Sequence, residues 1–458
     1  MRRIAIVAPL VTLLLLATSS AGTRSLGYPA GPDLIVHDAV VLTMDPDMPR
    51  ASAFAVTGDR FVAVGNDEDI LALVGSGTTV IDLDGKAVTP GFIDSHSHWI
   101  GDRGLYGVRR AHTAIQMALE GGWTSINEHF VNGPRLDELT QLDAEGDLRL
   151  RVNAYLPVNY GPNQRFGMWF SDRVTPGEVL GPRLRVAGVK FFIDACGSRT
   201  MYMTTGRIDD PKRFGNFHWG RHELQRMVRR VHEAGWQIAA HTCGDAATDE
   251  ILDALKLAFG DEEGGLFRAR LEHVVALRDD QLRRMRRLGV SPSFQLTWVD
   301  SNWAASLQRV FDADQLELMG RWRDLAERPR LHAIGSTDTP FGEDYPDLGP
   351  STVMDALSSA ITRIAEPGDH PPRFMREQRL GLMQAIRLLT VGGAYGIFAE
   401  DDLGTVTPGK LADFVVLSPD PRDVRVRLLD DVDIALVFVG GRLEVCAPGY
   451  EALCPTSP

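Results

Sequence analysis

His96 and His98 stand one residue apart at the end of Gly-Phe-Ile-Asp-Ser-His-Ser-His, residues 91–98. Side chains along a strand alternate faces, so a His-x-His pair points both imidazoles the same way. Two neutral imidazoles on one face suit a divalent transition metal. Lys190 lies inside the apolar run Gly-Val-Lys-Phe-Phe-Ile-Asp, residues 188–194. A lysine cation is costly to bury there. It either snorkels to water from an edge strand or is kept neutral by burial and put to chemical use. His241 ends Gln-Ile-Ala-Ala-His, His273 ends Arg-Leu-Glu-His, and Asp338 ends Ala-Ile-Gly-Ser-Thr-Asp. Taken singly, each of these histidines is more often a satisfied core residue and the aspartate a helix cap. Taken together, the six residues form one metal site.

The elements that must position them recur with the rhythm of a barrel. Strand-like runs fall at residues 91–98, 124–129, 148–156, 185–194, 236–242, 269–275, 290–297 and 331–338. Helical stretches between them include 107–119, 221–234, 245–258, 279–288 and 314–326. Strands alternating with helices imply parallel βαβ units. Eight such units predict an α/β fold, a (β/α)₈ TIM barrel over residues 91–395, whose active site gathers at the C-terminal strand ends. On that count the candidates fall on strands one, four, five, six and eight.

With those residues in place, the chain resembles the metal-dependent amidohydrolase superfamily. Its finer motifs are similar to amidohydrolase family 3, which includes N-substituted formamide deformylase-like proteins. They are Val-Thr-Pro-Gly-Phe-Ile-Asp-Ser-His-Ser-His ending at His98, Val-Lys-Phe-Phe-Ile-Asp followed by Gly-Ser-Arg-Thr at 197–200, Ala-His-Thr-Cys-Gly-Asp-Ala-Ala at 240–247, Leu-Glu-His ending at His273, and Gly-Ser-Thr-Asp-Thr-Pro at 335–340. Gly-Thr-Val-Thr-Pro-Gly-Lys-Leu-Ala-Asp-Phe-Val-Val-Leu at 404–417 is similar to the family's return strand into a small sandwich. The resemblance spans about residues 33–443.

The resemblance implies two divalent metals, usually zinc, bridged by a carbon dioxide-derived carbamate on Lys190. His96, His98 and Asp338 would hold the first ion, and His241 and His273 the second. Metal coordination lowers the pKa of water towards neutrality, so a bridging hydroxide would be the nucleophile. Asp338 would take its proton and pass it to the leaving nitrogen, a general base and then acid. The second metal would polarise the carbonyl. The function implied is hydrolysis of a non-peptide amide C–N bond in a small molecule. Lactone or phosphoester hydrolysis on the same site is the alternative. A secreted non-catalytic binding protein is a third reading, which the intact ligand set opposes. One departure stands out: family 3 carries a long insertion after the His-x-His strand, whereas only residues 99–121 lie there in this chain. A more open pocket is expected.

Residues 33–44, 53–64, 78–88, 414–417 and 435–445 alternate in the strand manner, with Gly440-Gly441 marking a hairpin turn. Short strands need partners. Residues 33–90 and 400–446 are therefore expected to pair into a composite β-sandwich, leaving 447–458 as a tail. Residues 1–21 carry Arg2 and Arg3, an apolar run and a small-residue exit, which predicts a cleaved secretory signal. The apolar run is short for a membrane span, so an exported protein with no stable membrane insertion is expected, periplasmic or extracellular.

The net charge is −13, and removing Arg2 and Arg3 makes it more negative by two. That charge favours solubility and argues against nucleic acid as a partner. Self-association into a homo-oligomer is left open. The run Arg-Arg-Met-Arg-Arg at 283–287 reads as a solvated helix face. No phosphate loop, dinucleotide fingerprint or Gly-x-Ser-x-Gly elbow occurs. Of four cysteines, Cys446 and Cys454 flank a short Pro/Gly loop and are expected to form a disulfide. Cys196 and Cys243 are expected to be free or structural, since the ligand set is complete without them; a second disulfide and metal ligation are the alternatives. Weaker pocket candidates are Arg199, for a substrate carboxylate or carbonyl, and Glu128, His129, Asn153 and Tyr155 as walls. Asp245 is expected to cap a helix, and His112, His218 and His232 to be ordinary.

Overall fold

A computed structural model describes residues 31–260, 267–299, 301–341, 351–364 and 370–455. The expected signal at residues 1–21 lies outside them. Eight strands form one sheet: β1 (Phe92–Ser97), β2 (Trp123–Glu128), β3 (Arg151–Pro157), β4 (Leu184–Phe192), β5 (Ile238–Thr242), β6 (Arg270–His273), β7 (Ser291–Gln295) and β8 (Ile334–Ser336). Neighbours in that order pair in parallel throughout. The ring closes just beyond the strand ends. Asp338 N–H donates to the His96 carbonyl at 2.7 Å, and His98 N–H donates to the Thr339 carbonyl at 2.8 Å. The Asp94 carboxylate reinforces the seam, accepting from Thr337 N–H at 2.9 Å and Thr337 Oγ1 at 2.6 Å. This is a (β/α)₈ TIM barrel.

Helices cover the sheet because their apolar residues recur on one face. Ala111–Glu120 buries Ala111, Ala114, Ile115, Ala118 and Leu119. Gly133–Glu145 starts at Asn132, whose side chain accepts from Arg135 N–H and so caps the first turn. Arg221–Glu233, Asp245–Phe259 and Asp279–Leu288 fall where the sequence places them. The expected helix over 314–326 is instead two short ones, Ala313–Leu316 and Trp322–Ala326. Gly320 interrupts it with φ 57°, a left-handed conformation that glycine adopts without steric cost. Among the described residues, no helix is long and apolar enough to cross a membrane.

The two ends of the chain meet. Phe414–Ser418 pairs antiparallel with Ala87–Pro90, with Leu417 opposite Ala87. These join Asp433–Val439, Arg442–Cys446, Val40–Leu42 and Arg50–Ala51 in a six-stranded sheet. A four-stranded sheet of Arg60–Gly65, Ala53–Thr57, Leu34–His37 and Thr79–Asp82 packs over it. Phe54, Phe61, Phe414 and Phe438 fill the space between the sheets. Gly440 and Gly441, at φ 58° and 71°, turn the hairpin between the last two strands as a mirror-image turn requires. Arg151, at the start of β3, clamps Asp413 of the sandwich at 2.7 and 2.9 Å. Cys446 is bonded to Cys454.

Candidate metal centre

The six candidate ligands meet at the C-terminal end of the barrel. β1 carries His96 and delivers His98 to the following loop; β4 carries Lys190, β5 His241, β6 His273, and Asp338 follows β8. Asp338 Oδ1 lies 3.2 Å from His96 Nε2 and 3.4 Å from His98 Nε2. Tetrahedral bonds of about 2.0–2.1 Å set ligand atoms roughly 3.4 Å apart, so this spacing matches a single ion. Asp338 Oδ1 is buried and has no hydrogen-bond partner among the described residues. His241 and His273 rings lie 4.2 Å apart, and His273 lies 4.7 Å from His96. Lys190 pairs with Ala239 in the β4–β5 register, two residues deeper than His241. Its Nζ is 3.1 Å from His96 Nε2.

Electrostatics favour the ligand forms. Burial holds His96 and His241 well below the ordinary imidazole value, and lowers His273 to about 4. All three are neutral, the state in which imidazole binds metal. Burial also lowers Lys190 to about 8, opposed by Glu272 and Asp338. His98 differs: burial opposes its charge, but Asp102 and Asp338 outweigh that and raise it to about 9.

A second layer orients the imidazoles. His96 Nδ1 is 2.9 Å from Glu272 Oε2, and Arg270 Nε donates to Glu272 Oε1 at 2.8 Å. Burial would raise the Glu272 carboxyl, but Arg270 outweighs it and holds it at about 2. An ionised carboxylate can only accept, so His96 carries its proton on Nδ1 and presents Nε2 to the site. His273 Nδ1 likewise meets Gln295 Oε1 at 2.9 Å. His273 and Asp338 both adopt left-handed backbone conformations, φ 74° and 64°. These are uncommon outside glycine and gather at functional sites.

A cavity of about 560 Å³ opens over these groups. Its wall is aromatic: Phe130, Tyr160, Phe192, Trp298, Trp303 and Phe341. Among the described lining residues there is no lysine or arginine. Of residues 99–121 only Asp102 reaches the cavity.

Several sequence expectations need correction. Arg199 is exposed, ion-paired with Asp209, and does not line the cavity. Glu128 is buried and accepts from the backbone N–H groups of Ile100 and Gly101, fixing the loop after β1. Tyr155 is buried behind the site, its hydroxyl donating to Gln237 at 2.8 Å and accepting from Arg270 at 3.0 Å. Asn153 donates to Ser125 Oγ. None of these forms a wall. His129 stacks face to face on His96, with centroids 3.8 Å apart, and on Tyr155 at 4.3 Å. Asp245 is not a cap; it opens its helix after Gly244 and accepts from Thr204 and Arg278. Cys196 and Cys243 are bonded to each other rather than free. His218, expected to be ordinary, lines the cavity, and burial beside Arg165 lowers it to about 4. No local signal marks His218, because it lies in the irregular stretch between β4 and its helix.

Residues 134–444 match the amidohydrolase family. An imidazolonepropionase of Symbiobacterium thermophilum is 47% identical, over 80% of this chain and 83% of that protein. An N-substituted formamide deformylase of Arthrobacter pascens is 38% identical, over 73% of this chain but only 60% of that protein. A solved structure of an uncharacterized metal-dependent hydrolase from Pyrococcus horikoshii shares the fold, with a TM-score of 0.72 over 86% of this chain and 99% of that one, at 21% identity. The chain belongs to the amidohydrolase family, and is a metal-dependent hydrolase acting on carbon–nitrogen bonds.

Proposed function

We propose that this protein hydrolyses a non-peptide amide C–N bond in a small molecule with an aromatic or other apolar substituent, using two zinc ions. His96, His98 and Asp338 would hold one ion and His241 and His273 the other, with Lys190, as a carbamate, supplying a further oxygen ligand. The observation that carries this reading is the convergence of those six residues, from five strands, beneath one aromatic-walled cavity. The buried, unpartnered Asp338 Oδ1 fits a metal ligand. Lys190 has two properties that suit a carbamate: an amine whose pKa burial lowers to about 8, so that a larger share is neutral than for an exposed lysine, and a position against His96.

Bound there, divalent ions activate water near neutral pH and polarise a carbonyl. The protein supplies the rest. Asp338 lines the cavity and is placed to accept a proton from water and deliver it to the departing nitrogen. His218 is neutral and can donate or accept one hydrogen bond to the substrate. The aromatic walls bury the substituent and exclude water. The described wall carries no lysine or arginine, so the substituent is recognised by apolar contact rather than by an ion pair with either side chain.

The test is metal analysis of the purified protein with a screen of acylated amines, N-substituted formamides and cyclic amides. Two ions per chain, turnover that chelation abolishes and zinc restores, and loss of both metal and turnover in Lys190→Ala are expected. A Lys190→Ala protein with two ions and normal turnover would refute the carbamate. We further propose that the protein is exported after cleavage near Gly22; secreted protein that still begins at Met1 would refute cleavage.

A further inference from the structure

The Cys196–Cys243 bond lies against the second metal position. Cys196 Sγ is 3.3 Å from His241 Nε2, and Cys243 Sγ is 3.8 Å from it. Cys196, His241 and His273 each offer one ligand atom, and all three atoms lie within 4.8 Å of one another. Cys196 also lines the cavity, whereas Cys243 is fully buried. A second grouping joins Cys243, His241 and Asp194. Its Asp194 carboxylate is engaged in fixing the loop, accepting from the backbone N–H groups of Tyr202, Cys243 and Gly244. All three members of the Cys196 triad line the cavity.

We propose that Cys196 is a redox-controlled additional protein ligand of the ion that His241 and His273 would hold. This rests on those two histidines being metal ligands. A disulfide sulfur is a poor donor, while a thiolate is a strong one, and two imidazoles with a thiolate form a zinc-binding set. A dithiol that enters the cavity attacks the bond through its thiolate. The Cys196–Cys243 bond breaks and both cysteines become thiols. The two sulfurs of the reductant join as its own disulfide, and two electrons pass from it to the cysteine pair. On binding the ion, Cys196 releases its proton to water. The oxidised protein then holds this ion by fewer ligands than the reduced one.

The experiment uses cobalt(II) in the full chain, in a Cys446→Ser/Cys454→Ser background so that the tail sulfurs do not contribute. Protein stripped by a chelator is reloaded anaerobically, with and without a dithiol. Visible bands report cobalt on imidazoles, and a near-ultraviolet sulfur-to-cobalt band reports thiolate ligation. The oxidised protein is expected to show only the visible bands. Dithiol should add the sulfur band, and the ion should then leave more slowly to a competing chelator. Cys243→Ser should show the sulfur band without any reductant, because it frees Cys196. Cys196→Ser should lack it under both conditions. Visible bands with no sulfur band in both the reduced parent and Cys243→Ser would overturn the proposal while leaving the histidine reading intact. A sulfur band that survives Cys196→Ser would overturn it in favour of Cys243. Visible bands unchanged by His241→Ala and by His273→Ala would overturn the underlying ligand assignment, and this proposal with it.

Discussion

Asp338 meets three demands at one position. Its N–H closes the barrel against His96, its Oδ1 faces both strand-one histidines, and its backbone is left-handed. Asparagine tolerates that backbone almost as well as aspartate does. Asp338→Asn therefore tests the chemistry without the strain. It should keep part of the metal and lower kcat by about 10²–10⁴, the usual worth of a general acid–base group; metal analysis beside steady-state kinetics checks both. Behind His96, the Arg270–Glu272 pair sets an acid limit on stability. The Glu272 carboxyl falls from 4.5 to about 2 on folding. Its contribution is complete above 4.5 and is lost as pH falls through that window. Denaturant midpoints should fall more steeply between pH 5 and 3 in the parent than in Glu272→Gln. The six candidate ligands, and their convergence, were legible in the sequence because each ends or interrupts an apolar strand, where a polar residue is conspicuous. Glu128 and Tyr155 sat at equally good strand positions and were misread. What decides their role is the return of the loop 99–101 onto Glu128 and of Arg270 onto Tyr155, contacts between distant segments that no local pattern records.

At the level of elements, β1 is seated by the helical segment Gly393–Gly396, which packs against it with almost no clearance. A Cβ at Gly393 would lie 2.8 Å from Ile93 Cβ and 2.9 Å from Ser95 Oγ. Overpacking of this kind costs about 1–3 kcal/mol. Gly393→Ala should lower the melting temperature and, by shifting the strand that carries His96 and His98, weaken metal binding. Calorimetry and competition with a chromogenic chelator would show a normal affinity if the strand did not move. All eight barrel strands, and four of the five helices read from the sequence, fall where the pattern places them. The split at Gly320 could not, because the helical pattern over 314–326 is intact and only the tertiary setting, with Gly320 N–H donating to the Val275 carbonyl, selects the break. The cavity wall was hidden for a related reason. Phe130, Tyr160, Trp298, Trp303 and Phe341 come from separate strand ends, loops and a helix, so they share no period.

Across the whole molecule, the sandwich is the part assembled from both ends. Ala87–Pro90 has one neighbour in Val40–Leu42 and the other in Phe414–Ser418, with the barrel between them in the chain. A protein lacking residues 400–446 should retain barrel sequence but expose the faces of Val88, Val41 and Phe54. It is expected to aggregate, and a soluble monomer on size exclusion would contradict this. The pairing of the two termini was readable from alternation and turn residues; the clamp from Arg151 to Asp413 that docks the sandwich on the barrel was not, since neither residue stands out locally. The same arrangement sets a timetable for synthesis. A ribosome adds about 5–20 residues per second, so the early strands emerge tens of seconds before their last partner exists. During that interval they present an unpaired, apolar sheet edge, the form of structure most prone to wrong pairing. The newborn chain is most in need of a chaperone at its first strands, long before any metal ligand matters.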